Sequence, residues 1–207
     1  MESEFFWDRM SSRYDNQVKK YRQTYRDTIE RTKKYLNKDD AVLDFACGTG
    51  IATIPISGLV KEIHAIDISR GMLDIAKEKA AENGIENIRF FKTDLFDDGF
   101  EKESFDVVLA VNILYFLRNA PENLNRIFEL LKPGGLFISA TDCLGEKKLF
   151  SNRIKKLLGR MGILPFMQMY SISELKKSIT DAGFKIRETA NLYDNPPNCF
   201  IAAKKNA

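Results

Sequence analysis

Apolar residues in this chain gather into short runs separated by stretches with helical spacing. Strands are expected near residues 41–45, 62–67, 88–92, 105–111, 135–141, 184–190 and 198–204, with amphipathic helices such as those near 70–82 and from Ser173 to Asp181. Strands that alternate with helices build a parallel sheet covered on both faces. The last two strands have no helix between them. Their short link through Asn195-Pro196-Pro197-Asn198 can join only antiparallel neighbours, because a parallel crossover takes about a dozen residues or more. The expected fold is α/β: a doubly wound, seven-stranded, mostly parallel sheet with an antiparallel C-terminal hairpin.

The first strand runs through Val42-Leu43-Asp44-Phe45-Ala46-Cys47-Gly48-Thr49-Gly50, an apolar run, then an acid, then a glycine-rich turn. Gly48 and Gly50 allow left-handed backbone and close approach to a ligand. Ile51 to Ser57 reads as a helix whose first N–H groups face the turn, with Pro55 tolerated in its first turn. A nucleoside-bearing cofactor suits this place. The dinucleotide pattern G-x-G-x-x-G puts pyrophosphate at the helix end. Here the small residues are spaced A-x-G-x-G, and Thr53 stands at the pattern's third glycine. Asp44 would repel a pyrophosphate, whereas it suits a ligand bearing an ammonium and a sulfonium. The charges favour S-adenosylmethionine over NAD.

The segment resembles motif I of the class I S-adenosylmethionine-dependent methyltransferases, and the family's further motifs follow in order. Ile63-His64-Ala65-Ile66-Asp67 resembles the second strand with its terminal acid, and Phe90-Phe91-Lys92-Thr93-Asp94-Leu95 the third. Phe105 to Leu117 resembles motif IV, and Leu131 to Ile138 the turn into strand five. The resemblance implies S-adenosylmethionine as cofactor and S-adenosylhomocysteine as product. It implies that Asp44 faces the methionine ammonium, Asp67 accepts from the ribose hydroxyls and Asp94 reads the adenine amino group. Ala46, Gly48, Thr49, Gly50, Ile68, Met72, Thr93, Leu95, Val111 and Asn112 complete the cofactor-binding set. Each acid taken alone could be a turn former or helix cap. Three at successive strand ends, where open α/β sheets bind ligands, favour the cofactor.

Composition fits one domain, 1–207, since 207 residues with 44% hydrophobic and 29% charged can bury a sizeable core. The resemblance divides it into an N-terminal helical cap (1–36), a cofactor-binding core (37–144), a substrate-lid insertion (145–171) and a C-terminal helix and hairpin (172–207). A net charge of +3, from 32 basic and 29 acidic residues, gives no strong nucleic-acid signal. No apolar run approaches about 18 residues, and the acidic start Met1-Glu2-Ser3-Glu4 is unlike a signal or transit peptide. Cys47, Cys143 and Cys199 lack a C-x-x-C spacing and suggest neither a disulfide framework nor a metal site. A cytoplasmic location is expected.

The aromatic lead-in Phe5-Phe6-Trp7 to Tyr14-Asp15 resembles the start of small-molecule methyltransferases, including the ubiquinone and menaquinone pathway group; it implies that Tyr14 contacts the methionyl end. Packing of Phe6 and Trp7 on the core is the plainer reading. Val18, Tyr21, Tyr25, Ile29 and Leu36 follow near-helical spacing, interleaved with basic residues that suit a solvated face.

Methyl transfer from a sulfonium is an in-line displacement, so placing the acceptor supplies much of the catalysis and a general base is optional. His64, the only histidine, lies three residues before Asp67 and about 10 Å back from the strand end, which makes it a packing residue. Tyr115 and Asp142, just beyond strands four and five, stand as candidates for base or positioning roles. Motif IV reads Asn112-Ile113-Leu114-Tyr115 without the prolines of enzymes that methylate planar amino groups, and Asn195-Pro196-Pro197 lies in the hairpin instead. Within 145–170, Phe150, Ile154, Leu157, Leu158 and Met161 have helical spacing opposite Lys147, Lys148, Arg153, Lys155, Lys156 and Arg160. This reads as a lid with a solvated outer face, one that also suits weak contact with an anionic membrane surface. The expected partner is a small-molecule acceptor. RNA or protein methylation, or a non-catalytic regulatory subunit that binds the cofactor, are the alternatives.

Overall fold

Alternate residues of each central strand feed opposite cores. Leu43, Ile66, Val108, Ala110 and Phe137 join one buried cluster; Val42, Ile63, Ala65, Val107, Leu109 and Ile138 join the other. Strands buried on both faces are what a sheet between two helical layers requires. The computed structural model describes residues 2–146, 157–159 and 164–206. Its strands are β1 (Ala41–Phe45), β2 (Glu62–Asp67), β3 (Ile88–Lys92), β4 (Phe105–Val111), β5 (Leu131–Asp142), β6 (Phe184–Asp194) and β7 (Pro197–Lys205). They form one seven-stranded sheet in the order β3-β2-β1-β4-β5-β7-β6. Pairs from β3 to β5 are parallel, and β7 runs antiparallel to both β5 and β6.

Among the described residues the sheet is accompanied by α1 (Glu2–Val18), α2 (Arg22–Lys33), α3 (Arg70–Glu82), α4 (Ala120–Leu130) and α5 (Ile172–Asp181). Leu124 and Ile127 of α4 and Leu175 and Ile179 of α5 pack into one core, while Leu73 of α3 and Ile29 of α2 pack against the other. Ser69 caps α3 by accepting from the Met72 N–H, and Ser171 and Glu174 form a reciprocal capping box on α5. Among the described residues no helix is long and apolar enough to cross a membrane.

Three local expectations change. Residues 51–57 are not an α-helix: after a turn, Ile54–Leu59 form a 3-10 helix. Pro55 has no N–H to give and Gly58 weakens the next turn, so the run closes through i to i−3 bonds, Ile56 N–H to Thr53 O and Val60 N–H to Ser57 O. Strand five begins at Leu131 rather than near 135, because Leu131 already pairs with Phe105 before a register shift carries the strand past Pro133 and Gly134. The buried side of α2 is Thr24, Thr28 and Thr32. The Thr28 and Thr32 hydroxyls donate to the carbonyl four residues earlier, so these positions pack without an unsatisfied group. Of the lid, Phe150, Ile154, Met161 and the basic residues opposite them lie outside the described residues.

Candidate functional site

The chain goes from β1 outward through β2 and β3, then returns to place β4 on the other side of β1, so the strand order reverses between β1 and β4. Open α/β sheets bind ligands in the crevice at such a switch point. Two non-glycine residues there have left-handed backbone, Ala46 (φ 58°) after β1 and Asn112 (φ 56°) after β4. Such strain costs about 1–3 kcal/mol each and persists where the surroundings impose it.

A cleft of about 480 Å³, counted with its mouth, opens at this point. Tyr14, Ala46, Gly48, Asp67, Ile68, Met72, Val111 and Asn112, all proposed from the sequence, surround it with Trp7, Ile113 and Phe116. A smaller recess continues from it along the glycine-rich turn, where Asp44 and Thr49 line the wall with Tyr25 and Cys47. Gly50 supports the turn from behind: a Cβ there would sit 3.1 Å from Ile54 Cδ1 and 3.3 Å from Ala76 Cβ. Gly48, at φ +56°, faces open space, and a Cβ added there meets no protein atom within 4 Å.

The two buried acids do different work. Asp67, 8% exposed, accepts from Gly48 N–H at 2.9 Å and from Ser69 N–H at 2.8 Å, which ties the turn after β1 to the end of β2. Burial raises its pKa against these hydrogen bonds. Asp44, 2% exposed, accepts from Thr53 Oγ1 at 2.5 Å. Burial, with Asp67 nearby, raises its pKa to about 6. Among the described residues Asp44 pairs with no cation, so a ligand ammonium in the recess would complete it.

Thr93, Asp94 and Leu95 are placed elsewhere. Asp94 is exposed and accepts from Phe96 N–H at 2.8 Å, Thr93 Oγ1 donates to Asp97 Oδ2 at 2.6 Å, and Leu95 is fully buried in the core. None of the three lines the clefts. His64 packs among the rings of Phe91, Phe100 and Phe105 and also lies outside them.

A second cleft of about 550 Å³ adjoins the first and brings Tyr115 and Asp142 together. Trp7, Tyr14, Asn112 and Phe116 are walls of both. Sequence reasoning missed Tyr21, Tyr25, Tyr193 and Asn198 as parts of this cleft. Asn198 reaches it because β7 runs antiparallel to β5 in a register that sets Asn198 opposite Asp142. Burial, with the Asp142 charge, holds the Tyr115 hydroxyl well above its ordinary pKa, and burial raises Tyr25. Both phenols stay protonated at neutral pH, so Tyr115 is suited to donate a hydrogen bond rather than take a proton.

The roof is α1. Glu4, Asp8, Ser11 and Asp15 share one helical face, spaced i, i+4, i+7 and i+11. Glu4 pairs with Lys92 at 2.6 Å, and Asp8 Oδ1 accepts from Ser69 Oγ at 2.6 Å and Gly71 N–H at 3.0 Å. Thr49 Oγ1 donates to Asp15 at 2.6 Å, and Lys79 pairs with Asp15. Trp7 on the adjoining face meets Phe116 edge-on at 5.1 Å between centroids. The helix thus closes over the cleft through contacts with β3, α3 and the glycine-rich turn.

This sheet order, with a glycine-rich turn at the switch point and an acid closing β2, is similar to that of the class I S-adenosylmethionine-dependent methyltransferases. Residues 42–135 match the family model described as a methyltransferase domain. The demethylmenaquinone methyltransferase of Lactococcus lactis is 43% identical over 101 residues, which cover 46% of this chain and 39% of that protein. The chain therefore spans well under half the length of this curated relative. Among solved structures, an S-adenosylmethionine-dependent methyltransferase from Aquifex aeolicus has a TM-score of 0.73 at 18% identity, covering 94% of this chain and 98% of its own. A Haloferax volcanii complex of a methyltransferase with the Trm112 methyltransferase activator has a TM-score of 0.77 at 18% identity, covering 97% and 98%. Both likenesses are of fold.

Proposed function

We propose that this protein transfers a methyl group from S-adenosylmethionine to a small molecule held in the aromatic cleft. The observation that carries the reading is the shared wall: a cleft with cofactor-type residues and a second, aromatic cleft meet at Tyr14 and Asn112. The cofactor, when bound, supplies a methyl group already activated on a sulfonium. Asp44 would neutralise its ammonium in the recess, Gly48 would admit its chain without a side chain in the way, and Asp67 would accept from its ribose hydroxyls with the lone pairs left free by Gly48 and Ser69. Trp7 and Tyr14 on α1 would exclude water. In-line geometry then rests on how the aromatic cleft positions the acceptor, which is where most of the rate advantage of such a transfer arises. The name of the Lactococcus lactis relative, a demethylmenaquinone methyltransferase, supports a small-molecule acceptor.

Titration calorimetry with S-adenosylmethionine, S-adenosylhomocysteine and NAD tests the cofactor. Binding of both sulfur compounds and not NAD is expected; binding of neither ends the proposal. Methyl-labelled cofactor incubated with a cell metabolite extract, with RNA and with protein then reads the acceptor class, and label in the small-molecule fraction is the expected outcome.

A further inference from the structure

Aromatic rings make most of the wall of the second cleft, and several of them meet at right angles. Tyr21 stands edge-on to Tyr193 at 5.6 Å between centroids and 89° between planes, Trp7 to Phe116 at 80° and Trp7 to Tyr14 at 84°. Parallel plates suit a flat ligand, whereas rings at right angles box in a compact one. Trp7, Tyr14, Tyr21, Tyr25, Tyr115 and Phe116 are each only partly buried, so the walls keep surface for a ligand to touch. The Tyr14 and Tyr25 hydroxyls meet at 3.2 Å and Asn112 Nδ2 donates to the Tyr25 hydroxyl at 3.2 Å, which holds two of these rings in place before a ligand arrives.

The charge of the cleft points the same way. Asp142, which accepts from Asn198 Nδ2 at 2.7 Å, is the one charged residue among the described walls, and it is an acid. Ring faces carry negative potential, so aromatic walls attract cations, and a cage of them is how proteins recognise ammonium groups. Lys20, exposed and not part of the wall, already rests its Nζ 4.8 Å from the Tyr21 ring centroid. Resting on the methyl-transfer reading above, we infer that the aromatic cleft recognises an alkylamine acceptor and holds the ammonium that methylation makes of it. The lone pair of the neutral amine forms the new N–C bond as the S–C bond of the cofactor breaks; sulfur keeps that bonding pair, and the positive charge passes from sulfur to nitrogen. A tertiary amine has no proton to lose in this step. Charge therefore develops beside the rings, across the wall of Tyr14 and Asn112 that the two clefts share.

The test uses the full chain saturated with S-adenosylhomocysteine, with calorimetry of choline, of its neutral carbon isostere 3,3-dimethylbutan-1-ol and of the planar 2-naphthol. Choline is expected to bind about tenfold tighter than the isostere, from which it differs only in charge, and tighter than 2-naphthol. In Tyr115→Leu the preference for choline should shrink and in Tyr115→Phe, which keeps the ring, it should stay; binding of S-adenosylhomocysteine to both shows that they are folded. Choline that binds no tighter than its isostere, tighter binding of 2-naphthol, a preference undiminished in Tyr115→Leu or lost in Tyr115→Phe, or no binding of any probe to the loaded wild type overturns the inference. Failure of S-adenosylhomocysteine itself to bind wild type sinks instead the methyltransferase reading on which it rests.

Discussion

Replacing Asp44 by Asn should make the protein more stable and a poorer binder of its cofactor. Burial raises the Asp44 pKa from 3.8 to about 6, so ionising it in the folded protein costs about 3 kcal/mol more than in the unfolded chain. The folded state therefore holds at Asp44 a proton that the unfolded state has released between about pH 4 and 6, and the contribution of Asp44 to wild-type stability falls as pH rises through that window. Asn occupies the same space, still accepts from Thr53 Oγ1, and carries no charge to bury. Part of the gain is lost because a neutral acceptor holds Thr53 less strongly, which leaves about 1–3 kcal/mol at neutral pH. Asp67 titrates in both proteins and cancels from the difference to first order. Urea melts of both without ligand, at pH 4 and pH 8, measure it: the advantage of Asp44→Asn should be small at pH 4 and full at pH 8. A difference independent of pH, or a variant weaker than wild type at pH 8, would refute the reasoning. Calorimetry on the same samples should show S-adenosylhomocysteine binding weakened about tenfold or more, as expected for a lost charge-assisted contact.

Gly48→Val should leave a folded domain, since a Cβ there meets no protein atom, while its methyl groups enter the cleft and a left-handed φ of +56° adds strain of about 1–2 kcal/mol. S-adenosylhomocysteine binding should be lost with circular dichroism unchanged; retained affinity would mean the turn does not approach the ligand. Gly71→Val should lift α1, because a Cβ at Gly71 falls 2.7 Å from Ser11 Oγ and 3.4 Å from the Asp8 carbonyl. Faster proteolysis within residues 2–18 and a changed emission of Trp7, the only tryptophan, are the expected signs; identical digestion of the two proteins would show that α1 is not held there.

Strands β1, β2 and β4 lie where their patterning puts them, because each places alternate side chains in two cores and tolerates no slip, while the edge strand β3 packs Ile88 and Phe90 on one core alone. The residues at their carboxyl ends could be read with them, which is why Ala46, Gly48, Asp67, Val111 and Asn112 gather around one cleft. Residues 51–57 misled because a helical periodicity says nothing of whether N–H groups find the i−4 carbonyl, and Pro55 removes one. Asp94 shares its strand-end position with Asp44 and Asp67, yet its carboxylate turns to the nearby Phe96 N–H, a local bond that strand position does not encode. Tyr21, Tyr25, Tyr193 and Asn198 reach the aromatic cleft from α2 and its approach and from the terminal hairpin. Their arrival depends on tertiary docking and on register shifts in β6, and the short spacing of Asn195 to Asn198 read only as a turn.

The common wall of Trp7, Tyr14, Asn112 and Phe116 gives the two clefts one element through which ligands in them would be coupled. Any settling of these four side chains when one ligand arrives is work the second no longer has to do, and linkage requires the favour to be returned in equal measure. Methyl transfer on this scaffold would thus carry a built-in brake: whatever tightens the hold on an incoming acceptor also lengthens the stay of the spent cofactor beside its methylated product. Softening that wall, rather than altering the acids beneath it, is the route by which turnover could be traded against affinity.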